Sequence, residues 1–279
     1  MTHRTESGRI APDTRAHHNE PAFAVYVINL PEATVRRQRI EEHLDSLRVP
    51  GVNFVSGVKG TALNSQELAD SCDDKAIRSY LGRSLVRGEI GGTLAHHKVY
   101  NLFLESENDY ALIIEDDALL SDSALRVAEC GRLREWMVDD RARIVLMSKA
   151  SQFLQRMSIP LTGKYRIVKV RNAWFGHGYL INRAAAKKLA IGNWPIRRMM
   201  DHWIEIEALF GVDVRAIDPY CIGLHESANQ SQIEDVRHNS TQEFSRLDFA
   251  RFLARKILRR VTNAVFYGPI FGFGNHDGK

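Results

Sequence analysis

At 279 residues the chain can bury one large core, or one domain with an accessory tail. Hydrophobic residues at 44% and charged ones at 26% are those of an ordinary soluble globular protein, and the net charge of +4 hides a basic excess near the C-terminus. Three well-separated cysteines, Cys72, Cys130 and Cys221, argue against a disulfide framework; with no apolar run near the roughly 20 residues of a membrane span and no signal-peptide core, a cytoplasmic location is expected.

Residues 1–21 hold little that packs and read as a disordered lead-in, followed by a domain over 22–240 and a basic tail over 241–279. Ala22–Leu30, AFAVYVINL, is rich in β-branched and aromatic residues and reads as a central strand ended by Pro31. A helix follows over Glu32–Leu47, with Val35, Ile40, Leu44 and Leu47 spaced for one buried face. Val52–Val55 is a second strand, Asn64 caps a short helix through Ala69, and Ser71–Arg87 is an irregular, partly helical excursion. Gly88–Gly92 forms a turn into a helix over Thr93–Glu105, whose apolar face includes Leu94, Val99, Leu102 and Phe103. Tyr110–Ile114 is a buried strand, and Ser121 caps a helix through Val138. Further strands fall at Arg143–Met147, Tyr165–Val170, Tyr179–Ile181 and Val212–Ile217. Helices at Ala184–Ala190 and Met200–Phe210 flank a break at Asn193–Pro195, and a polar loop runs through Arg237. Strands alternating with helices predict an α/β fold with a mainly parallel central sheet.

Three acids, Glu115, Asp116 and Asp117, close the strand Tyr110–Ile114. Adjacent carboxylates repel one another, so a fold that gathers them supplies a cation or hydrogen-bond donors. An acidic surface turn is the plain alternative. Open α/β sheets bind ligands outside the carboxyl ends of their strands, and a divalent metal holding a phosphorylated ligand is expected here. A phospho-acceptor receiver domain also carries acids after a strand, but needs another aspartate after a later one; from Arg141 to Met200 there is no Asp or Glu.

That acid-free span is basic, with Lys149, Arg156, Lys164, Arg166, Lys169 and Arg171 fit to face phosphates or an acidic partner. The first acid after it, Asp201, is either a helix cap or a general base raised by neighbouring aromatics. Asn29 closes the first strand and Arg36 follows within two helical turns. Either both meet a nucleotide at the edge that holds the acids, or Arg36 lies on a solvated helix face. Glu89 and His96 bracket the start of the next helix, a place where a histidine is commonly structural.

Taken in order, VINLPEATVRR (Val27–Arg37), GEIGGTLAHH (Gly88–His97), LIIEDDALL (Leu112–Leu120) and GHGYLINRAAAKKL (Gly176–Leu189) resemble glycosyltransferase family 25, the lipopolysaccharide and lipooligosaccharide galactosyltransferases with their collagen-modifying relatives. PIRRMMDHW (Pro195–Trp203) and HESANQSQI (His225–Ile233) add to the likeness, which covers Ala22–Val236. The resemblance implies a GT-A type nucleotide-sugar-binding fold, a divalent metal, and transfer with inversion. It puts Asn29, Arg36, His96, Glu115 and Asp116 on the nucleotide-sugar side and makes Asp117 the metal ligand; on the chemistry of the residues, Glu115 and, from the C-terminal loop, His225 are expected to join it. Asp201 becomes the expected catalytic base, with Glu89 the second choice. Gly92, Ala95 and Ala185–Ala186 depart from the family pattern and bear on donor and acceptor preference rather than on the metal site.

Over Phe244–Val265 the tail is a basic amphipathic helix, packed on its own domain or lying on an anionic membrane surface. No aromatic-interleaved basic motif points to nucleic acid. The expected function is an inverting, Mn²⁺- or Mg²⁺-dependent transfer of a hexose, galactose first, from a UDP-sugar to a bacterial lipopolysaccharide, lipooligosaccharide or other surface-glycan acceptor. It would take place in the cytoplasm or on the inner face of the cytoplasmic membrane. The competing expectations are a non-catalytic scaffold of the same fold in glycan assembly and a metal phosphohydrolase.

Overall fold

The structure, a computed structural model, describes residues 23–225 and 246–276. The expected lead-in over 1–21 and most of the expected loop after His225 lie outside the described residues. Among the described residues there are eleven strands: β1 Ala24–Asn29, β2 Val52–Ser56, β3 Tyr110–Glu115, β4 Ala118–Leu120, β5 Arg143–Leu146, β6 Gln152–Pro160, β7 Arg166–Asn172, β8 Gly178–Asn182, β9 Asp213–Asp218, β10 Ile222–Leu224 and β11 Phe273–Gly274. The main helices are α1 Thr34–Ser46, α2 Ser65–Ser71, α3 Asp74–Leu81, α4 Arg87–Glu105, α5 Ala124–Ala128, α6 Gly131–Met137, α7 Arg183–Gly192, α8 Trp203–Phe210, α9 Arg246–Thr262 and α10 Gly268–Phe271.

Nine strands form one sheet in the order β11-β6-β7-β9-β5-β8-β3-β1-β2. As expected, β2, β1, β3, β5 and β9 run the same way, but β8 is inserted antiparallel between β3 and β5. An antiparallel edge of β7, β6 and β11 extends the sheet beyond β9, so the sheet is mixed. The central strands are apolar on both faces because helices cover both. On one side Tyr26, Val99, Phe103, Ile113, Tyr179 and Trp203 pack beneath α4, α7 and α8. On the other, Val25, Ile40, Leu44, Leu112, Leu133 and Met137 pack beneath α1 and α6. A small third cluster, with Ile77, Tyr80, Ile90, Ile196 and Met199, joins α3 to the start of α4 and the segment before α8.

Several expectations change. Val35 is 77% exposed, so α1 buries only Ile40 and Leu44. The span Ser71–Arg87 contains α3, started by the Asp73 side chain accepting from Ala76 N–H at 2.9 Å and ended by left-handed Gly82. Helix α4 begins at Arg87, so the glycines expected as a turn lie inside it. Gly91 is needed there: a Cβ would sit 2.3 Å from the Val58 carbonyl. That close approach turns α4 so that Thr93, Ala95, His96, Val99 and Tyr100 face inward, while Leu102 is exposed. The helix expected over Ser121–Val138 is two, α5 and α6, preceded by β4 paired with β10. Strand β6 escaped the pattern because its pairing with β7 is irregular between Leu154 and Ile159, which breaks the alternation a strand shows. Helix α8 starts at Trp203 with His202 at its N-cap, leaving Asp201 in the turn before it.

Candidate active site

Strand β3 delivers Glu115 to the carboxyl edge of the sheet, and Asp116 and Asp117 make the turn into β4. Because Ile28 pairs with Glu115, Asn29 arrives beside Asp116. Its Nδ2 donates to Asp116 Oδ2 at 2.7 Å and to the Ala33 carbonyl at 3.3 Å. Arg36 lies 3.3 Å from Asp116 Oδ1, and Arg39 donates to the Asp116 carbonyl at 3.4 Å. Burial raises the Asp116 pKa, opposed by the Asn29 hydrogen bond and the Arg36 charge. Asn29 and Asp116 therefore hold each other and fix the acidic turn to β1 and α1. Arg36 keeps 41% of its side chain exposed and reaches the surface of the same edge.

Glu115 meets His96, whose Nε2 is 3.3 Å from Oε1. On its other side His96 Nδ1 is 2.8 Å from the Tyr179 hydroxyl, which is 2.9 Å from the Tyr100 hydroxyl. This buried relay orients the carboxylate from beneath. Desolvation pushes the Glu115 pKa up, but the hydrogen bond and charge of His96, aided by His177 and Arg36, bring it below its ordinary value. His177 precedes β8; its carbonyl accepts from Glu115 N–H at 3.2 Å. Its ring is buried, and that burial lowers its pKa against the pull of Glu115. His177 Nε2 has no hydrogen-bond partner among the described residues.

Asp117 is the strained member. Burial, then the charges of Glu115 and Asp116, push its pKa up to about 7. Its Oδ1 is buried without a hydrogen-bond partner among the described residues. Pairing of β4 with β10 brings His225 alongside, with its backbone N–H donating to the Asp117 carbonyl at 2.9 Å. An orphaned carboxylate oxygen with two acids beside it fits a cation. Among the described residues no three His, Cys, Asp or Glu side chains converge as a ready cage. A hard dication on a diphosphate needs only one or two protein carboxylates, the rest being phosphate oxygens and water, so this donor set is compatible.

Glu89 sits differently from its expected role. Both its oxygens take Arg83 guanidinium hydrogen bonds, at 2.8 and 2.7 Å, and one also accepts from Val86 N–H at 3.0 Å. It is the buried cap of α4, and to act as the second-choice base it would have to be released by Arg83. Asp201 does not cap α8, which has no side-chain cap. Its turn is fixed by Tyr80: the Tyr80 hydroxyl accepts from Met199 N–H at 3.1 Å, and the Arg198 guanidinium lies 4.2 Å from its ring. Met200, next to Asp201, packs on Gly176 so closely that a Cβ there would be 2.6 Å from its sulfur and 3.4 Å from Glu115 Oε1. The Asp201 turn thus borders the acidic edge.

A cavity of about 230 Å³ opens at the carboxyl ends of β1 and β2, lined by Asn29, Pro31, Thr34, Arg37, Phe54 and Ser56. The Arg37 guanidinium covers the Phe54 ring at 3.3 Å. Of the residues expected from sequence, the structure gathers Asn29, Arg36, His96, Glu115, Asp116, Asp117 and the backbone of His225 at one edge. Sequence reasoning missed His177, Tyr179, Gly176 and Tyr80. The Gly176-His177-Gly178-Tyr179 run was visible, but nothing in one sequence says that a strand inserted antiparallel will bring it against β3.

The model of glycosyltransferase family 25 (LPS biosynthesis protein) matches residues 23–204. Procollagen galactosyltransferase 1 of Danio rerio is 23% identical over 63% of this chain and 29% of its own length, so the chain spans about a third of that relative. Inactive glycosyltransferase 25 family member 3 of Homo sapiens is 27% identical over 63% of this chain and 30% of its length. The lipooligosaccharide biosynthesis protein lic2B of Haemophilus influenzae is 23% identical over 85% of this chain and 88% of its own length. With the acidic edge, the Gly-His-Gly-Tyr strand and the α4 cap all inside the matched span, the chain belongs to glycosyltransferase family 25.

Proposed function

We propose that this chain is an inverting glycosyltransferase of GT-A type. It moves a hexose, galactose first, from a UDP-sugar to a lipopolysaccharide, lipooligosaccharide or related surface-glycan acceptor. The observation that carries the reading is the Asp117 carboxylate, buried beside two acids with its Oδ1 unpartnered, at the carboxyl edge of a sheet whose neighbouring cavity lies between β1 and β2. Asp117 and Glu115, with His225 above them, would hold a Mn²⁺ or Mg²⁺ that supplies Lewis-acid stabilisation to a diphosphate leaving group. Arg36 faces the same edge with a positive charge suited to phosphate. The cavity walled by Phe54, Arg37 and Thr34 offers a flat cation-covered ring and polar groups for a nucleoside. His96 holds Glu115 ionised and in place. Asp201 takes the proton of the attacking acceptor hydroxyl as the new bond forms.

The long similarity to the lipooligosaccharide protein favours a bacterial surface-glycan acceptor. A second reading, a non-catalytic scaffold of the same fold, is favoured by one specific fact: the family includes a relative named inactive. Calorimetry of UDP binding with and without Mn²⁺, followed by turnover of a panel of UDP-sugars, separates them. Metal-dependent UDP binding with turnover of one sugar supports the transferase; absence of UDP binding leaves the scaffold.

A further inference from the structure

A surface helix ordinarily turns its apolar stripe inward. Helix α9 does the reverse. Leu253, Ile257 and Val261 recur every fourth residue and continue to Val265 in the widened turn Asn263–Tyr267, with Leu258 and Phe266 alongside. All six are between 43% and 68% exposed. The opposite side makes the contacts. Arg255 donates to the Ser79 carbonyl of α3 at 3.2 Å, and Asn263 Oδ1 accepts from Arg171 of β7 at 2.8 and 3.0 Å. The Arg171 guanidinium lies 4.0 Å from the Tyr267 ring, Arg156 donates to the Ile270 carbonyl at 2.9 Å, and β11 pairs with β6. The tail is thus clamped to the domain by its polar flank, and its apolar flank faces away.

Charge decides what covers that flank. From Ala250 to His276 the sequence has no Asp or Glu, while the exposed Lys256 and Arg260 border the apolar stripe. An exposed apolar ridge between cations matches a surface whose headgroups are anionic and whose interior is hydrocarbon. No helix among the described residues is long and apolar enough to cross a membrane, so the geometry is one of lying on it. We infer that α9 through Phe266 is an in-plane docking surface for an anionic lipid bilayer, held rigidly against the domain by Arg171 and Arg156. This does not rest on the proposed reaction, and its failure would leave that reaction standing.

The test is sedimentation of the full chain with phosphatidylcholine vesicles, with and without one-third phosphatidylglycerol. Two double variants are compared with it, Leu258→Glu with Val261→Glu and Lys256→Glu with Arg260→Glu, all four positions being exposed. Expected is binding to the anionic vesicles alone, weakened by salt and reduced about tenfold or more by either pair, since each basic side chain near an anionic surface is worth about fivefold. Circular dichroism and thermal unfolding identical to the unaltered chain show that the variants fold. Absence of vesicle binding, or binding indifferent to both pairs, overturns the inference. So does a dimer that the Leu258→Glu, Val261→Glu pair converts to monomer, which would make this ridge a contact between copies.

Discussion

Asn29 Nδ2 lies 2.7 Å from Asp116 Oδ2, joining the ends of β1 and β3 across 87 positions of sequence. The bond makes the acidic turn a rigid part of the sheet edge rather than a loop that happens to be acidic. Asn29→Ala leaves a buried carboxylate oxygen without its strongest donor, at a cost of about 1–3 kcal/mol. A lower urea midpoint with unchanged slope is the expected result. An unshifted midpoint would mean that the turn is held by Arg36 and the backbone alone.

The relay beneath Glu115 makes a different prediction. Glu115 has a lowered pKa in the folded state, so it binds fewer protons there than in the unfolded chain. It contributes stability that is present above its unfolded value of 4.5 and lost as pH falls through the lower folded value. His96→Leu removes the strongest of the partners that offset desolvation. The carboxylate should then titrate higher than in the unaltered chain, and its acid-range contribution to stability should shrink. Carbon NMR titration of labelled glutamate reads this directly; an unmoved Glu115 resonance in the variant would show that His177 and Arg36 suffice.

How much of this was legible beforehand differs by residue. Tyr110–Ile114 and Ala24–Asn29 announced themselves because strands buried on both faces are continuous apolar runs, and the acids after β3 stood out by contrast with them. Asn29 and Arg36 were found as neighbours of that edge, but their grip on Asp116 depends on the register of β1 with β3, which no local pattern encodes. Glu89 was expected as the second-choice base through the family resemblance; its partner Arg83 lies in the stretch Ser71–Arg87, read only as an irregular, partly helical excursion. His177 was missed for a topological reason, since only the antiparallel insertion of β8 carries it to Glu115.

Asp117 ties pH to cation binding. Its folded pKa of about 7 lies above its ordinary 3.8, so the folded chain retains a proton that the unfolded chain has lost between those values. Metal-free stability should therefore fall as pH rises from about 4 to 7, the reverse of the usual carboxylate behaviour. Asp117→Asn removes the penalty and should raise the melting temperature of the metal-free chain at pH 8 by a few degrees, since about 1 kcal/mol corresponds to roughly 2–4 °C in a chain of this size. The same substitution should abolish Mn²⁺-dependent UDP binding. If the variant melts lower at pH 8, the carboxylate is stabilising and the cluster is not strained.

The two candidate bases separate by what each does for the fold. Glu89 is fully buried at its side chain, bidentate with Arg83 and capping Val86, so Glu89→Gln breaks an ion pair and costs about 3 kcal/mol. Because its oxygens are already engaged, the folded fraction should keep its transfer rate per molecule. Asp201 caps nothing in α8 and stands in a turn organised by Tyr80 and Met199. Asp201→Asn keeps the size and shape of the side chain at this half-buried turn and should melt within about 1 kcal/mol of the unaltered chain. It should bind UDP normally yet lose transfer by about 100-fold or more, the usual contribution of a positioned base. Thermal unfolding, UDP calorimetry and sugar-transfer rates on both variants decide the matter. The reverse pattern, a stable but inactive Glu89→Gln with an active Asp201→Asn, would move the base to the start of α4 and require Arg83 to release it when substrate binds.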